Sequence, residues 1–174
     1  STKYACSEEL FKRTPELIHT HIPNVKLIYL TRNPIERTIS HWRHFKGRFA
    51  NNRVADFHEL LDDQYLLEKI VQCSMYFEQI NRFRQYFPDD QIHCITFEDL
   101  TKKPIKTLDS LFKFAKLKGN PKNLLKTENG PAKLPHKNQA GAKKRIFIEA
   151  PELSNEFKTR LERHFKDDSE KFLN

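Results

Sequence analysis

The sequence predicts an α/β domain in which a mainly parallel sheet is flanked by helices. Two apolar runs of strand type, at residues 25–31 and 92–97, alternate with segments whose apolar residues recur at helical spacing. The first run is apolar almost throughout rather than alternating, which is typical of a strand covered on both faces. Because two strands are too few for a complete sheet of this class, we expect further strands, either unrecognised within the chain or preceding Ser1.

The first helices are marked by prolines. Residues 7–19 combine helix-forming residues with apolar positions, and Pro15 is expected to bend or interrupt this helix. Pro34 is well placed as the first residue of the next helix, because a proline there loses no hydrogen bond and its fixed φ is already helical. This second helix carries an apolar stripe that should face the sheet, formed by Ile35, Thr38, Ile39 and Trp42.

The later helices follow from the same kinds of signal. A short helix is predicted at residues 56–61. Apolar residues then step along one face over residues 66–87, which predicts one long helix that Pro88 ends. Pro104 lies near the start of another helix, and the last helix begins near Ser154.

The composition limits the possible partners. The chain of 174 residues has the size of one ordinary domain, and we predict a single domain over residues 1–174. Hydrophobic residues make up 37% and include 14 Phe, which supports a real core, and no apolar run approaches the length of a membrane span. Lysine and arginine number 31 against 23 acidic residues, so the formal net charge is +8. This charge favours an anionic partner such as nucleic acid, a phosphate-bearing cofactor or an acidic glycan.

The cysteines indicate a redox environment. Cys6, Cys73 and Cys94 are odd in number, widely spaced and set among apolar neighbours, with no C-x-x-C pairing. We predict that they are buried free thiols. Free thiols favour a reducing compartment, so the predicted location is the cytoplasm.

The most informative stretch is KLIYLTRNPIERTISHW, residues 26–42, which runs from the first strand through a Thr-Arg-Asn-Pro corner into a helix. Since ligands of open α/β sheets bind beyond the carboxyl ends of the strands, Arg32 and Ser40 should both lie near the binding edge. A guanidinium suits phosphate oxygens, and a hydroxyl in the first turns of a helix adds a donor beside the positive end of the helix dipole. From spacing alone, the pair is either a monophosphate clamp or structural, with Arg32 bound to a carboxylate such as Glu36 and Ser40 filling a small space.

Two sequence blocks resemble one known family. VKLIYLTRNPIERTISHW is similar to the 3′-phosphate-binding signature of the PAPS-dependent sulfotransferases, where a strand ends in Arg-(Asn/Asp)-Pro and a serine follows eight residues after the arginine. The next block resembles the family in a helix that ends in Phe87-Pro88, a strand that closes in FEDL at residues 97–100, and a helix after Lys103-Pro104. The similarity spans residues 25–117 and leans to the carbohydrate and bacterial branches. It implies a sulfotransferase fold of the P-loop hydrolase type.

The resemblance implies roles for particular residues. Arg32 and Ser40 would bind the 3′-phosphate of PAPS, which is retained in the product PAP. Tyr76 falls where the family often has an aromatic residue near the substrate cleft, although a helical aromatic residue is more often simply core.

A basic segment near the C-terminus is a second candidate for nucleotide contact. Family members close a basic loop over the nucleotide, and HKNQAGAKKR occupies about that place, but the usual Lys-Gly pair is not seen. The segment is therefore either a part of the nucleotide site or a solvated charge run within the long loop predicted at residues 119–141. The residues concerned are Lys137, Asn138, Lys143, Lys144 and Arg145.

The family's catalytic elements are not seen before Arg32. The family grips the 5′-phosphosulfate with a lysine-bearing loop, and no Gly-rich loop of that kind precedes Arg32 in a chain with only 4 Gly. The general base usually also lies upstream, so we expect the catalytic residues to precede Ser1 and the chain to be the C-terminal portion of a longer domain. His21 is not a good candidate base, because a strand of roughly 23 Å, at about 3.3 Å per residue, would place it at the opposite edge.

The resemblance implies in-line transfer of a sulfuryl group from PAPS to an acceptor hydroxyl or amine of a carbohydrate or small molecule. Such a transfer needs no metal, and the cluster at residues 41–44 lacks metal-ligand spacing. Two alternatives are a basic nucleic-acid-binding module, supported by charge alone, and a nucleotide kinase of related fold, weakened by the missing G-x-x-x-x-G-K-[ST] loop. An animal glycan-modifying branch would imply the Golgi lumen instead of the cytoplasm.

Overall fold

The computed structural model of the chain describes residues 12–48, 56–127, 130–131 and 148–174. The predicted α/β class is confirmed, with helices and strands in the predicted order. Between α2 and α3 the chain forms short helical turns, which begin with a 3₁₀ turn at Phe57–Glu59 where a short helix was predicted. The elements are α1 (Thr14–His21), β1 (Leu27–Thr31), α2 (Pro34–Arg48), α3 (Tyr76–Arg84), β2 (Ile92–Thr96), α4 (Phe97–Lys102), α5 (Pro104–Phe114), β3 (Lys126–Thr127), β4 (Gly130–Pro131) and α6 (Asn155–Leu173).

The main sheet consists of β1 and β2. They pair in parallel, from Leu27 opposite Ile92 to Thr31 opposite Thr96, and α2 and α3 lie between them in sequence. Parallel neighbours require such a helical crossover, and it leaves both carboxyl ends at the same edge. Within the described residues no further strand joins this pair, and β3 and β4 form a separate antiparallel pair. The additional strands that the sequence led us to expect are therefore not found in this part of the chain.

Strand β1 is covered on one face, whereas the sequence predicted a strand buried on both. The ring of Tyr29 packs against the rings of Tyr76 and Phe172, with centroids 6.1 and 6.2 Å away. On the opposite face Ile28 and Leu30 are 53% and 49% exposed. Helix α5 lies against β2.

The apolar stripe of α2 forms as predicted, but its partner is a helical core and not the sheet. Trp42 is 4% exposed and belongs to this core, against which Ile35 and Ile39 pack. The fully buried Thr38 donates its hydroxyl to the carbonyl of Pro34 at 2.8 Å. The space beside the stripe is filled by the turns that follow α2 and by α6. The buried core residues are Trp42, Phe57, Leu60, Leu66, Ile70, Val71, Phe157, Leu161 and Phe165.

The long helix predicted over residues 66–87 is interrupted. The chain passes through a π turn at Leu67–Val71 and a 3₁₀ turn at Gln72–Ser74 before α3 begins. A tertiary contact lies at the interruption. Nη1 of Arg37 in α2 donates to the carbonyl of Ile70 at 3.2 Å. A side chain that takes a helical carbonyl in this way breaks the regular backbone ladder.

The cysteines differ in their environments. Cys73 is a buried free thiol, as predicted. The prediction is wrong for Cys94, which is a free thiol exposed on β2. Among the strands that the structure describes, β2 has one neighbour, and the aromatic rings on that face cover β1 instead. Cys6 lies outside the described residues.

Candidate functional site

The carboxyl ends of β1 and β2 bring two segments of the sequence together. Thr31 lies opposite Thr96 in the parallel register, so the next residues, Arg32 and Phe97, are neighbours. The guanidinium carbon of Arg32 lies 5.0 Å from the centroid of the Phe97 ring, which is within the range of a cation–π contact. The sequence singled out both residues, but only the register shows that they meet.

Asn33 fixes the corner between β1 and α2. Its Oδ1 accepts the backbone N–H groups of Ile35 and Glu36, both at 3.1 Å, and thereby caps the first turn of α2. Its own backbone N–H donates to Oε1 of Glu98 in α4 at 3.2 Å. The corner is therefore tied to both strand ends.

The side chain of Arg32 forms an ion pair within the corner. Its Nη2 lies 3.2 Å from Oε2 of Glu36, and the two side chains are 30% and 57% exposed. The structural alternative, in which Arg32 binds a carboxylate such as Glu36, is thus observed. An exposed pair of this kind contributes about 0–1 kcal/mol, because water screens it and both side chains lose entropy. Carboxylates and phosphates can both accept two parallel hydrogen bonds from a guanidinium, and a phosphate dianion carries the larger negative charge.

Ser40 is an exposed residue two turns into α2. It follows Glu36 by four residues, so the two lie on the same side of the helix about 6 Å apart along its axis. Arg32, bound to Glu36, and Ser40 therefore border the same side of α2. The exposure of Ser40 does not support the alternative in which it fills a small buried space.

Tyr76 contacts the same corner from the first residue of α3. It is 7% exposed, and its Oη accepts the backbone N–H of Arg32 at 3.2 Å. Burial raises the pKa of the Tyr76 hydroxyl, so the group stays protonated and neutral. The predicted substrate contact stays a prediction. The contact with the Arg32 backbone was not foreseen, since nothing in the local sequence links residues 44 positions apart.

The side chains of Arg37 and His21 each bond to a backbone carbonyl. Arg37 lies outside the apolar stripe and seemed available for other work, but its Nη1 contacts the Ile70 carbonyl and Nδ1 of His41, both at 3.2 Å. His21 is exposed at the end of α1, where its Nδ1 bonds the carbonyl of Leu17 at 2.8 Å. Because α1 precedes β1, His21 lies on the side of the sheet away from Arg32, as predicted.

Several predicted features fall elsewhere. The basic candidates of the C-terminal segment lie outside the described residues. They are Lys137, Asn138, Lys143, Lys144 and Arg145. In the part of the chain that the structure describes, no group of histidine, cysteine and acidic side chains is arranged to hold a metal ion. In the same part, no helix has the length and apolarity needed to cross a membrane.

Ligands of open α/β sheets bind beyond the carboxyl ends of the strands, and Arg32 follows the carboxyl end of β1. A family model described as "Sulfotransferase domain" matches residues 7–140. This range includes Arg32, Ser40 and Phe97. The chain therefore belongs to the sulfotransferase family, and the resemblance of its motifs is confirmed.

Curated relatives agree with this assignment. The chain is 29% identical over 124 residues to heparan sulfate glucosamine 3-O-sulfotransferase 5 of Mus musculus and of Homo sapiens, which covers 67% of the chain and 35% of each relative. It is 28% identical over 101 residues to the membrane-associated sulfotransferase kil1 of Dictyostelium discoideum, covering 58% of the chain and 18% of that protein. The chain thus spans about a third of the length of the mouse and human relatives, at 35%.

A solved structure supports the fold. The crystal structure of a sulfotransferase from Alicyclobacillus acidocaldarius superposes with a TM-score of 0.66 at 16% sequence identity. The match covers 97% of this chain and 59% of the bacterial chain. The predicted sulfotransferase fold is confirmed.

Proposed function

We propose that this chain forms the part of a sulfotransferase that binds the 3′-phosphate of PAPS. The enzyme would move a sulfuryl group to an acceptor hydroxyl or amine. The observation that carries the proposal is the position of Arg32. It follows the carboxyl end of β1, rests on the Phe97 ring and keeps 30% of its side chain exposed beside Glu36.

The donors at this corner fit a phosphate dianion. The guanidinium of Arg32 presents two parallel N–H groups, the exposed Ser40 adds a hydroxyl, and the start of α2 contributes the positive end of its dipole. Arg32 and Ser40 would hold the 3′-phosphate, which distinguishes PAPS from ordinary adenylates. When bound, PAPS supplies the sulfuryl group and leaves as 3′,5′-ADP. The proposal assigns no catalytic base to this chain.

The basic segment that includes Lys137 and Lys144 is proposed as a further nucleotide contact. Its support is its position in the sequence and its charge, in a chain of net charge +8. The other members of this proposal are Asn138, Lys143 and Arg145.

A glycan is the acceptor class that we favour. The mouse and human relatives are named for an acceptor in heparan sulfate. The basic stretch at residues 43–53 is a candidate surface for an acidic glycan. Arg43 also has a structural contact, because its Nε donates to the Ile148 carbonyl at 2.7 Å. The cytoplasm and the Golgi lumen both remain consistent with this function.

The test compares two nucleotides that differ only in the 3′-phosphate. In the natural protein that contains this sequence, isothermal calorimetry should give tighter binding for 3′,5′-ADP than for 5′-AMP. Because a charge-assisted hydrogen bond is worth about 1.5–3 kcal/mol, Arg32→Ala should weaken 3′,5′-ADP binding by roughly ten- to a hundredfold. Binding of 5′-AMP should change by less than about twofold, since it lacks the phosphate that Arg32 contacts.

Arg13→Ala is a matched control. Arg13 is likewise a surface arginine paired with a glutamate, at 3.0 Å from Glu16, but it lies just before α1 and is not part of the corner between β1 and α2. The control should leave both affinities unchanged. Equal affinity of the unaltered protein for the two nucleotides would overturn the proposal. Duplex DNA binding whose affinity falls steeply with salt would instead favour the nucleic-acid module.

A further inference from the structure

We propose that Tyr76 is a positioning residue that holds Arg32 in place for the 3′-phosphate. The inference rests on the proposed function, because Arg32, which Tyr76 contacts, is the residue proposed to bind that phosphate. Its basis is the hydrogen bond from the Arg32 backbone N–H to Tyr76 Oη at 3.2 Å.

The contact is placed where it controls the direction of the Arg32 side chain. Arg32 is the first residue after β1, so the sheet no longer fixes its backbone, and α2 begins only at Pro34. The Tyr76 hydroxyl supplies the acceptor at this junction. A backbone N–H that loses such a partner must find another, and the peptide plane rotates to do so. Since the guanidinium extends from this backbone, rotation there displaces the phosphate-binding N–H groups.

Tyr76 is itself held on several sides. Its ring packs against Phe172 of α6 with centroids 5.9 Å apart. The following N–H groups of Phe77 and Glu78 donate to the Asp168 carboxylate at 3.1 and 3.0 Å. A buried and fixed hydroxyl is a suitable reference point for the more exposed corner, because it moves little when the ligand arrives or leaves.

Tyr76 also contributes to packing, and the experiment must separate the two roles. Tyr76→Phe keeps the ring and removes only the oxygen that Arg32 contacts. Tyr29→Phe is the matched control, because it removes a hydroxyl from the same cluster. That hydroxyl contacts Gln79 Oε1 at 2.9 Å and the Tyr76 carbonyl, but not Arg32.

The readout is the ratio of the dissociation constants of 5′-AMP and 3′,5′-ADP, measured by calorimetry on the natural protein, with melting temperatures recorded in parallel. We expect Tyr76→Phe to lower the ratio by about five- to tenfold, the effect of one lost hydrogen bond. For Tyr29→Phe the ratio should stay within about twofold of that of the unaltered protein, even if its melting temperature falls as far as that of Tyr76→Phe. Stability alone would not move a ratio between two ligands of one folded protein.

The outcomes distinguish this inference from the proposed function. A ratio that survives in Tyr76→Phe, or that falls equally in Tyr29→Phe, overturns the positioning role and leaves the phosphate site intact. If the unaltered protein shows no preference for 3′,5′-ADP, the proposed function fails, and the positioning role fails with it.

Discussion

At the residue scale, the proposed role of Arg32 in phosphate binding depends on a competition between anions. Its Nη2 already has a partner in Glu36 at 3.2 Å, and both side chains reach solvent. A nucleotide phosphate must share the guanidinium with this carboxylate or displace it. The sequence placed the two residues one helical turn apart, and the structure shows that the ion pair forms.

Replacing Glu36 should therefore strengthen phosphate binding. Glu36→Gln removes a competing negative charge close to the proposed site. Because the Coulomb energy of such a surface charge is on the order of 1 kcal/mol at 4 Å in water, the affinity for 3′,5′-ADP should rise by about two- to fivefold. Calorimetry measures the change, and denaturation should show a stability within about 0.5 kcal/mol of the unaltered protein.

Glu16→Gln provides the control for this change of charge. Glu16 pairs with Arg13 on an exposed surface, and that arginine lowers the pKa of the Glu16 carboxyl, so it is ionised at neutral pH like an ordinary glutamate. The control should leave the affinity unchanged. A tenfold loss of affinity in Glu36→Gln would show that Glu36 orients Arg32 and does not compete with the ligand.

At the element scale, α3 depends on a distant cap. The N-cap residue of α3, Met75, makes no side-chain hydrogen bond to the helix. Asp168 of α6 replaces it: the carboxylate, 5% exposed, accepts the N–H groups of Phe77 and Glu78. The cap therefore joins two helices that are about 90 residues apart in sequence, as the separations of 91 and 90 show.

Removing this cap should destabilise the fold. Asp168→Ala leaves two backbone N–H groups buried without an acceptor, which costs about 1–3 kcal/mol. Urea denaturation measures the loss. Asp167→Ala is the control, since the neighbouring carboxylate on the same helix is exposed. If both variants lose the same small amount, Asp168 does not act as the cap.

The same scale shows where periodicity is sufficient and where it fails. Pro104–Phe114 forms a helix that begins at the predicted proline, and α6 begins after Ser154, whose hydroxyl accepts the Phe157 N–H at 3.2 Å. Both starts depend on local chemistry. The apolar spacing over residues 66–87 is equally regular, yet the predicted helix is interrupted there. The Arg37 contact with Ile70 comes from another helix, and periodicity carries no information about it.

At the scale of the whole molecule, a single aromatic residue joins three parts of the sequence. Phe57 is fully buried, with its ring 5.4 Å from that of Trp42 and 5.6 Å from that of Phe157. These residues belong to α2, the turn after it and α6. The core that supports the site is therefore built from segments distant in sequence.

Truncation of Phe57 should test this core. Phe57→Ala removes a buried ring whose neighbours cannot close the space, so the free energy of unfolding should fall by about 3–5 kcal/mol. Tyr65→Ala serves as the control, because Tyr65 is 56% exposed and should lose less than about 1 kcal/mol. Urea denaturation followed by circular dichroism compares the two. Equal losses would mean that Phe57 is not at the centre of the cooperative unit.

The sequence by itself determined the α/β class, the strand that ends just before Arg32, the helix that starts at Pro34 and the family to which the chain belongs. These features depend on local chemistry: apolar runs, proline geometry and the spacing of Arg32 and Ser40. The same local signals failed for the environment of Cys94 and for the covered faces of β1, because burial depends on what lies across the sheet.

Only the tertiary structure decided which groups surround Arg32. The register of β1 and β2 places Phe97 beside its guanidinium, and α3 brings the Tyr76 hydroxyl to its backbone. Such contacts join residues 44 and 65 positions apart, as the hydrogen bonds to Tyr76 and Glu98 show. No pattern of neighbouring residues encodes them, because they arise when hydrophobic packing and strand pairing fix the whole chain at once.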